Sequence, residues 1–148
     1  MKKLFTVLSL FAVSFAMAQN VAKVEIQNPP MDIATPIAKD KIELYNQSFS
    51  KFVAALKASD KNAVSGLISE KVKNLVNEKM IQTLSGGISF DRKTEVYQSG
   101  YQKLLDNQTY PAIQYKYEDD KQNPPRDLIT VIFENDGKIL GVKPDYSK

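Results

Sequence analysis

The hydrophobic positions of this 148-residue chain follow three different rules along its length. From Leu4 to Phe15 they form an uncharged, mostly apolar run. From Ile42 to Leu84 they recur at helical spacing. Beyond Gly87 they alternate with polar residues or crowd into short blocks. Within the second region, Ile42, Tyr45, Phe49, Phe52, Val53 and Leu56 fall on one stripe of a helix, with Lys39, Lys41, Lys51 and Lys57 mostly pointing elsewhere. Pro36 suits its first turn, where no backbone N–H is needed. Ser59-Asp60 stops this helix and caps a short second one carrying Ala63, Val64, Leu67 and Ile68, interrupted by Gly66. Ser69 caps a third helix through Val72, Leu75, Val76, Met80 and Leu84. Glu70 in its first turn favours the positive end of the dipole. Gly86-Gly87 ends it, as glycine does where a left-handed residue is required.

The third region predicts four strands, Thr94 to Tyr101, Tyr110 to Tyr117, Leu128 to Phe133 and Ile139 to Val142. Alternation puts Tyr97 and Tyr101 on one side of the first strand and Val96 on the other. It groups Ile113, Tyr115 and Tyr117 on one face of the second. Glu118 to Asp127 is charged, contains Asn123-Pro124-Pro125, and reads as a loop. Asn135-Asp136-Gly137 suits a three-residue hairpin loop, a type I turn followed by a left-handed glycine. Glu134 then faces Lys138, Phe133 lies beside Ile139, and Ile132 lies beside Leu140 on the opposite face. A sheet with helices on one side normally shows a polar outer face, so this second apolar face calls for a cover. Helices followed by a run of antiparallel strands define an α+β class, with residues 36–148 as a single domain.

The N-terminal run changes the compartment. Lys2 and Lys3, the apolar stretch, and Ala16-Met17-Ala18 make residues 1–18 a signal peptide, so the protein is expected to be exported, to the periplasm or outside the cell. The run falls short of the roughly 20 residues that span a bilayer, and no second long apolar stretch follows, so no membrane span is expected after cleavage. Residues 19–35, with Asn28-Pro29-Pro30, read as an extended arm; a short edge strand within Val21 to Ile26 is the alternative.

Composition removes much chemistry. The net charge of +3 owes two lysines to the signal peptide, and no basic stripe suggests nucleic acid. Zero cysteines exclude disulfides and lipid attachment at a cysteine. Zero histidines remove the commonest general base and transition-metal ligand, and with them Ser-His-Asp and Cys-His catalysis. A metal site would need oxygen ligands. The nearest candidate, Glu118-Asp119-Asp120, lacks the alternating spacing and central glycine of a calcium loop and reads as a solvated charged loop. Gly86-Gly87 lacks the lysine and hydroxyl of a phosphate loop. Neither metal nor cofactor is implied.

Phe52 to Ser69, a helix followed by a short helix, and Leu128 to Val142, a terminal strand pair of the form F-x-x-D-G-K-I-x-G, together carry a likeness. Over roughly residues 40–145 the chain resembles the cone-shaped domains of the nuclear transport factor 2-like superfamily, especially its small exported bacterial members. The resemblance implies a strongly curved sheet wrapped around the first helix, with a pocket between them. In many members the outer sheet face dimerises, which would supply the missing cover. Members include isomerases, dehydratases and cyclases as well as non-catalytic binding modules, and fold does not choose among them. Under this arrangement Tyr45, Phe49, Phe52, Tyr101, Tyr115 and Tyr117 lie between helix and sheet, as ligand-binding candidates or as core. Isomerases of the superfamily need a buried carboxylate and a tyrosine. Glu43 and Glu95 are closest by position, and alternation sets Glu95 on the face of Tyr97 and Tyr101. No catalytic motif is matched. The expectation is a non-catalytic module for a small apolar ligand or an envelope protein, as a homodimer through its outer face. The alternative is a small lyase or isomerase using Glu95 with a tyrosine.

Overall fold

The computed structural model describes residues 30–146; the expected signal peptide and the expected arm up to residue 29 lie outside them. Helix α1, Lys39–Lys57, begins three residues after Pro36, later than the proline suggested. Its first turn has no side-chain cap and starts from Ala38, with Asp40 placed near its positive end. Its stripe is buried as expected, with Tyr45, Phe49, Phe52 and Leu56 facing the core. Asp60 then caps α2, Lys61–Leu67, by accepting a 3.0 Å hydrogen bond from the Ala63 N–H. Ile68 leaves the helix and forms a parallel bridge to Ile139, held by the Ser69 N–H donating to the Ile139 carbonyl at 2.8 Å.

The third helix is shorter than its periodicity implied. Ser69 caps no α-helix: its Oγ accepts from the Lys71 N–H in a tight turn. A single 3-10 turn, Lys73–Leu75, follows, and Val76 is extended. Helix α3, Glu78–Gly87, starts only at Asn77, whose side chain accepts from the Met80 N–H at 2.9 Å. Asparagine competes with helix continuation by bonding nearby backbone, and here the cap wins. Val72, Val76 and Met80 are still buried, so their spacing reported a buried face and not one unbroken helix. Helix α3 does stop at Gly87, but Ile88 follows in extended geometry. The glycine with left-handed φ among the described residues is Gly137, so the stop does not use a left-handed glycine.

Four strands follow, β1 (Thr94–Lys103), β2 (Thr109–Tyr117), β3 (Asp127–Phe133) and β4 (Ile139–Tyr146). They pair in sequence order, all antiparallel, and the chain is an α+β protein. Outside the sheet, Asp32 bridges Tyr101 with two 2.8 Å backbone bonds. Gly100 permits this approach, because a Cβ there would lie 2.0 Å from the Asp32 carbonyl oxygen.

Two irregularities re-aim side chains. Register shifts between Val96 and Gln98, leaving Tyr97 opposite no residue of β2. A bulge reverses the alternation. Val96 therefore pairs with Tyr115 and Tyr101 with Pro111, on one face, while Glu95 pairs with Lys116 on the other. Glu95 does not share a face with Tyr101. In the last hairpin, Glu134 N–H donates to the Lys138 carbonyl at 2.8 Å and Gly137 N–H to the Glu134 carbonyl at 2.9 Å, the turn read from Asn-Asp-Gly. Phe133 faces Ile139, but Leu140 is bulged and Ile132 pairs with Gly141. Ile132 and Leu140 are only 2% and 6% exposed within one chain. The cover that this second apolar face called for is supplied by the chain itself.

Candidate functional site

Helix α1 meets the sheet through two aromatic stacks. Tyr45 lies on Phe133, centroids 4.7 Å apart, and Phe49 on Tyr115, 4.3 Å apart. Such pairs add about 0.5–1.5 kcal/mol each beyond area burial. Tyr45, Phe49, Phe52, Tyr115 and Tyr117 are all buried and Tyr101 is half-buried. Most of the expected aromatic wall is therefore packed core. Of the six, Phe49 and Tyr115 also line a cleft.

The cleft, of about 430 Å³, lies where β1 begins and β2 ends. Asn46, Phe49, Ser50 and Val53 line it from α1, and Ile88, Ser89, Arg92 and Lys93 from the connection between α3 and β1. Thr94, Glu95, Val96 and Tyr115 complete it from the sheet, and Glu118 from the turn after β2. The volume lies within the roughly 300–1,000 Å³ of small-molecule sites. The α1 residues arrive there because positions 46, 49, 50 and 53 share a helix side at spacings of three and four.

The polar groups of the floor are largely fixed. Tyr115 donates its hydroxyl proton to Asn46 Oδ1 at 2.8 Å, and burial pushes this phenol well above its ordinary pKa. Tyr117 Oη accepts the Ser89 N–H at 2.9 Å. The Arg92 guanidinium lies 3.9 Å from the Tyr117 ring centroid, a cation–π position. Arg92 also grips Asp119 through Nε and Nη2, the shortest bond at 2.6 Å, and reaches Asp127 at 3.2 Å through Nη1. These hydrogen bonds hold the Asp119 carboxyl below the usual carboxylate range.

In the acidic run 118–120, Glu118 and Asp119 are exposed, as a solvated loop would have them, but Asp120 is not. Asp119 is bound to Arg92, and Asp120 is buried and folds the loop around itself. Asp120 accepts from the backbone N–H of Gln122 at 3.0 Å, of Arg126 at 2.6 Å and of Asp127 at 3.3 Å. These N–H groups, that of Gln122 first, depress its pKa. Among the described residues no group of three or more His, Cys, Asp or Glu is placed to hold a metal. No helix among them is long and apolar enough to cross a membrane.

Glu95 sits on the rim of the cleft, 44% exposed at its side chain and 3.0 Å from the Lys116 ammonium. Glu43 is exposed and does not line the cleft. Sequence reasoning missed Asn46, Ser50, Arg92 and Lys93. Asn46 and Ser50 could have been found as polar residues one turn apart beside the apolar stripe, whereas Arg92-Lys93 carries no local signal.

An α+β protein with a mixed apolar and polar cleft against its first helix is the class that these observations define. Compared with known proteins, the chain matches no family model, no curated protein and no solved structure.

Proposed function

We propose that the chain is an exported, non-catalytic binding module of nuclear transport factor 2-like architecture that holds a small ligand with an apolar body in this cleft. The architecture is supported by helices preceding an antiparallel meander, and by α1 stacked on the sheet through two aromatic pairs. The observation that carries the function is the cleft itself. It sets the apolar side chains of Phe49, Val53, Ile88 and Tyr115 beside the polar groups of Asn46, Ser50, Arg92 and Lys93.

A lyase or isomerase would need a carboxylate shielded from water beside a free phenol. Glu95 is half-exposed and ion-paired, and the Tyr115 proton is already committed to Asn46. A homodimer through the outer face draws no support from the last hairpin, whose apolar residues are buried within the chain.

Export is tested by N-terminal sequencing of the mature protein, which should begin at Gln19. Binding is tested by native mass spectrometry of the exported protein beside Ser50→Trp, an exposed position on the cleft wall. The parent should retain a small adduct that the variant loses, with equal Tm. Identical, adduct-free spectra from both would refute the binding reading.

A further inference from the structure

The polar margin of the cleft is unequal in the hydrogen-bonding groups it leaves uncommitted. Tyr115 donates to Asn46 Oδ1, so the free part of that amide is its Nδ2, which can only donate. Arg92 uses one N–H on each of its three nitrogens for Asp119 and Asp127. A guanidinium has five such donors, which leaves two. Lys93 is exposed, and its ammonium has no carboxylate within ion-pair distance among the described residues. Of the two acids lining the cleft, Glu95 is held by Lys116 at 3.0 Å. Glu118 is exposed on the margin, where water screens its charge. Lys93 and Glu118 are opposite charges with the same exposure, so the less screened spare capacity is that of the half-buried Asn46 and Arg92, and it is donor capacity beside Phe49 and Val53.

Resting on the cleft reading above, we infer that the ligand is an amphipathic carboxylate. Its head group meets Asn46 Nδ2, Lys93 and the spare Arg92 N–H groups, and its hydrocarbon body lies against Phe49, Val53 and Ile88. Hydrogen bonds to an ionised acceptor are about twice as strong as neutral ones, so the head group, and not the chain, sets the preference.

The test titrates the full chain with octanoate, octanol and octylammonium, three probes with equal chains and different heads. It follows the amide shifts of Ser50 and Thr94 by NMR. Octanoate should shift both and bind tightest. Asn46→Asp keeps an oxygen for Tyr115 but replaces the donor, and should weaken octanoate about tenfold. Lys93→Gln, at an exposed site, should weaken it about threefold. Neither variant should move octanol. Equal binding of octanol, tighter binding of octylammonium, or octanoate binding indifferent to both variants would overturn the carboxylate inference and leave the cleft reading standing. No shift at Ser50 and Thr94 with any probe would overturn the cleft reading itself.

Discussion

Gly137→Ala loads a position where backbone geometry and packing both demand glycine. The residue has φ of 90° at the tip of the last hairpin. An alanine Cβ there would lie 2.9 Å from Ser48 Oγ and 3.1 Å from Leu44 Cγ, both on α1. An L-residue with a side chain in this conformation costs about 1–2 kcal/mol. The contact is the smaller part, because a serine hydroxyl can rotate away while Leu44 must yield a few tenths of an ångström. Overpacking of that kind adds about 1 kcal/mol. A total of about 2–3 kcal/mol is a large fraction of the roughly 5–15 kcal/mol that stabilises a domain. At roughly 4 °C per kcal/mol for a chain of this size, Tm should fall by about 8–12 °C.

Urea unfolding is the assay, since a shift in midpoint at constant m reports stability alone. Two further variants separate the causes. Gly137→Asn keeps a Cβ but tolerates left-handed backbone, so it should recover part of the loss. Ser48→Ala in the Gly137→Ala background should recover only a few tenths of a kcal/mol, as befits a side chain that can rotate. The hairpin tip is also tied to α1 by Lys41 Nζ donating to the Asn135 carbonyl at 2.8 Å, so an alanine that pushes the tip away should disturb the Lys41 resonances. If Gly137→Ala lies within about 0.5 kcal/mol of the parent, the size of an ordinary surface change, the docking of this tip on α1 is wrong.

Three other changes test separate parts of the fold. Gly100→Ala should expel the Asp32 backbone from β1, so amide exchange at Asp32 and Tyr101 should accelerate while β2 and β3 stay protected; unchanged protection would refute the bridge. Asn77→Ala should cost about 1 kcal/mol through loss of the α3 cap, read as a lower urea midpoint, whereas Ser69→Ala should not fray α3, since Ser69 caps no helix there. Asp120 has a folded pKa below its unfolded value of about 4, so its contribution is present above that value and is lost as pH falls through the depressed one. Stability measured from pH 6 downward should therefore fall less steeply in Asp120→Asn than in the parent, and parallel curves would show that the loop does not depend on the charge.

What could be read in the chain depended on how far each signal reached. The last hairpin is specified by three adjacent residues, and its turn came out as Asn135-Asp136-Gly137 dictated. The buried stripe of α1 needs only the helix's own period. The break before α3 was less legible, because Asn77 is an ordinary polar residue in a helical pattern until its cap bond to Met80 is seen. The bulge at Tyr97 has no local mark at all: it exists as a mismatch with β2, and a one-residue slip moves every later side chain to the other face. That slip separated Glu95 from Tyr101 and weakened the catalytic alternative. The same limit explains the aromatic set. Spacing placed Tyr45, Phe49, Phe52, Tyr115 and Tyr117 inward, but only packing decides whether an inward ring lines a space or fills it, and two stacks fill most of this one. The open cleft lies where α1, the connection before β1 and the end of β2 converge, so its polar margin is assembled from residues up to 72 positions apart, Asn46 to Glu118. Chemistry of that kind is a product of topology. The donors of Asn46, Arg92 and Lys93, which no motif joins in sequence, meet only through the fold.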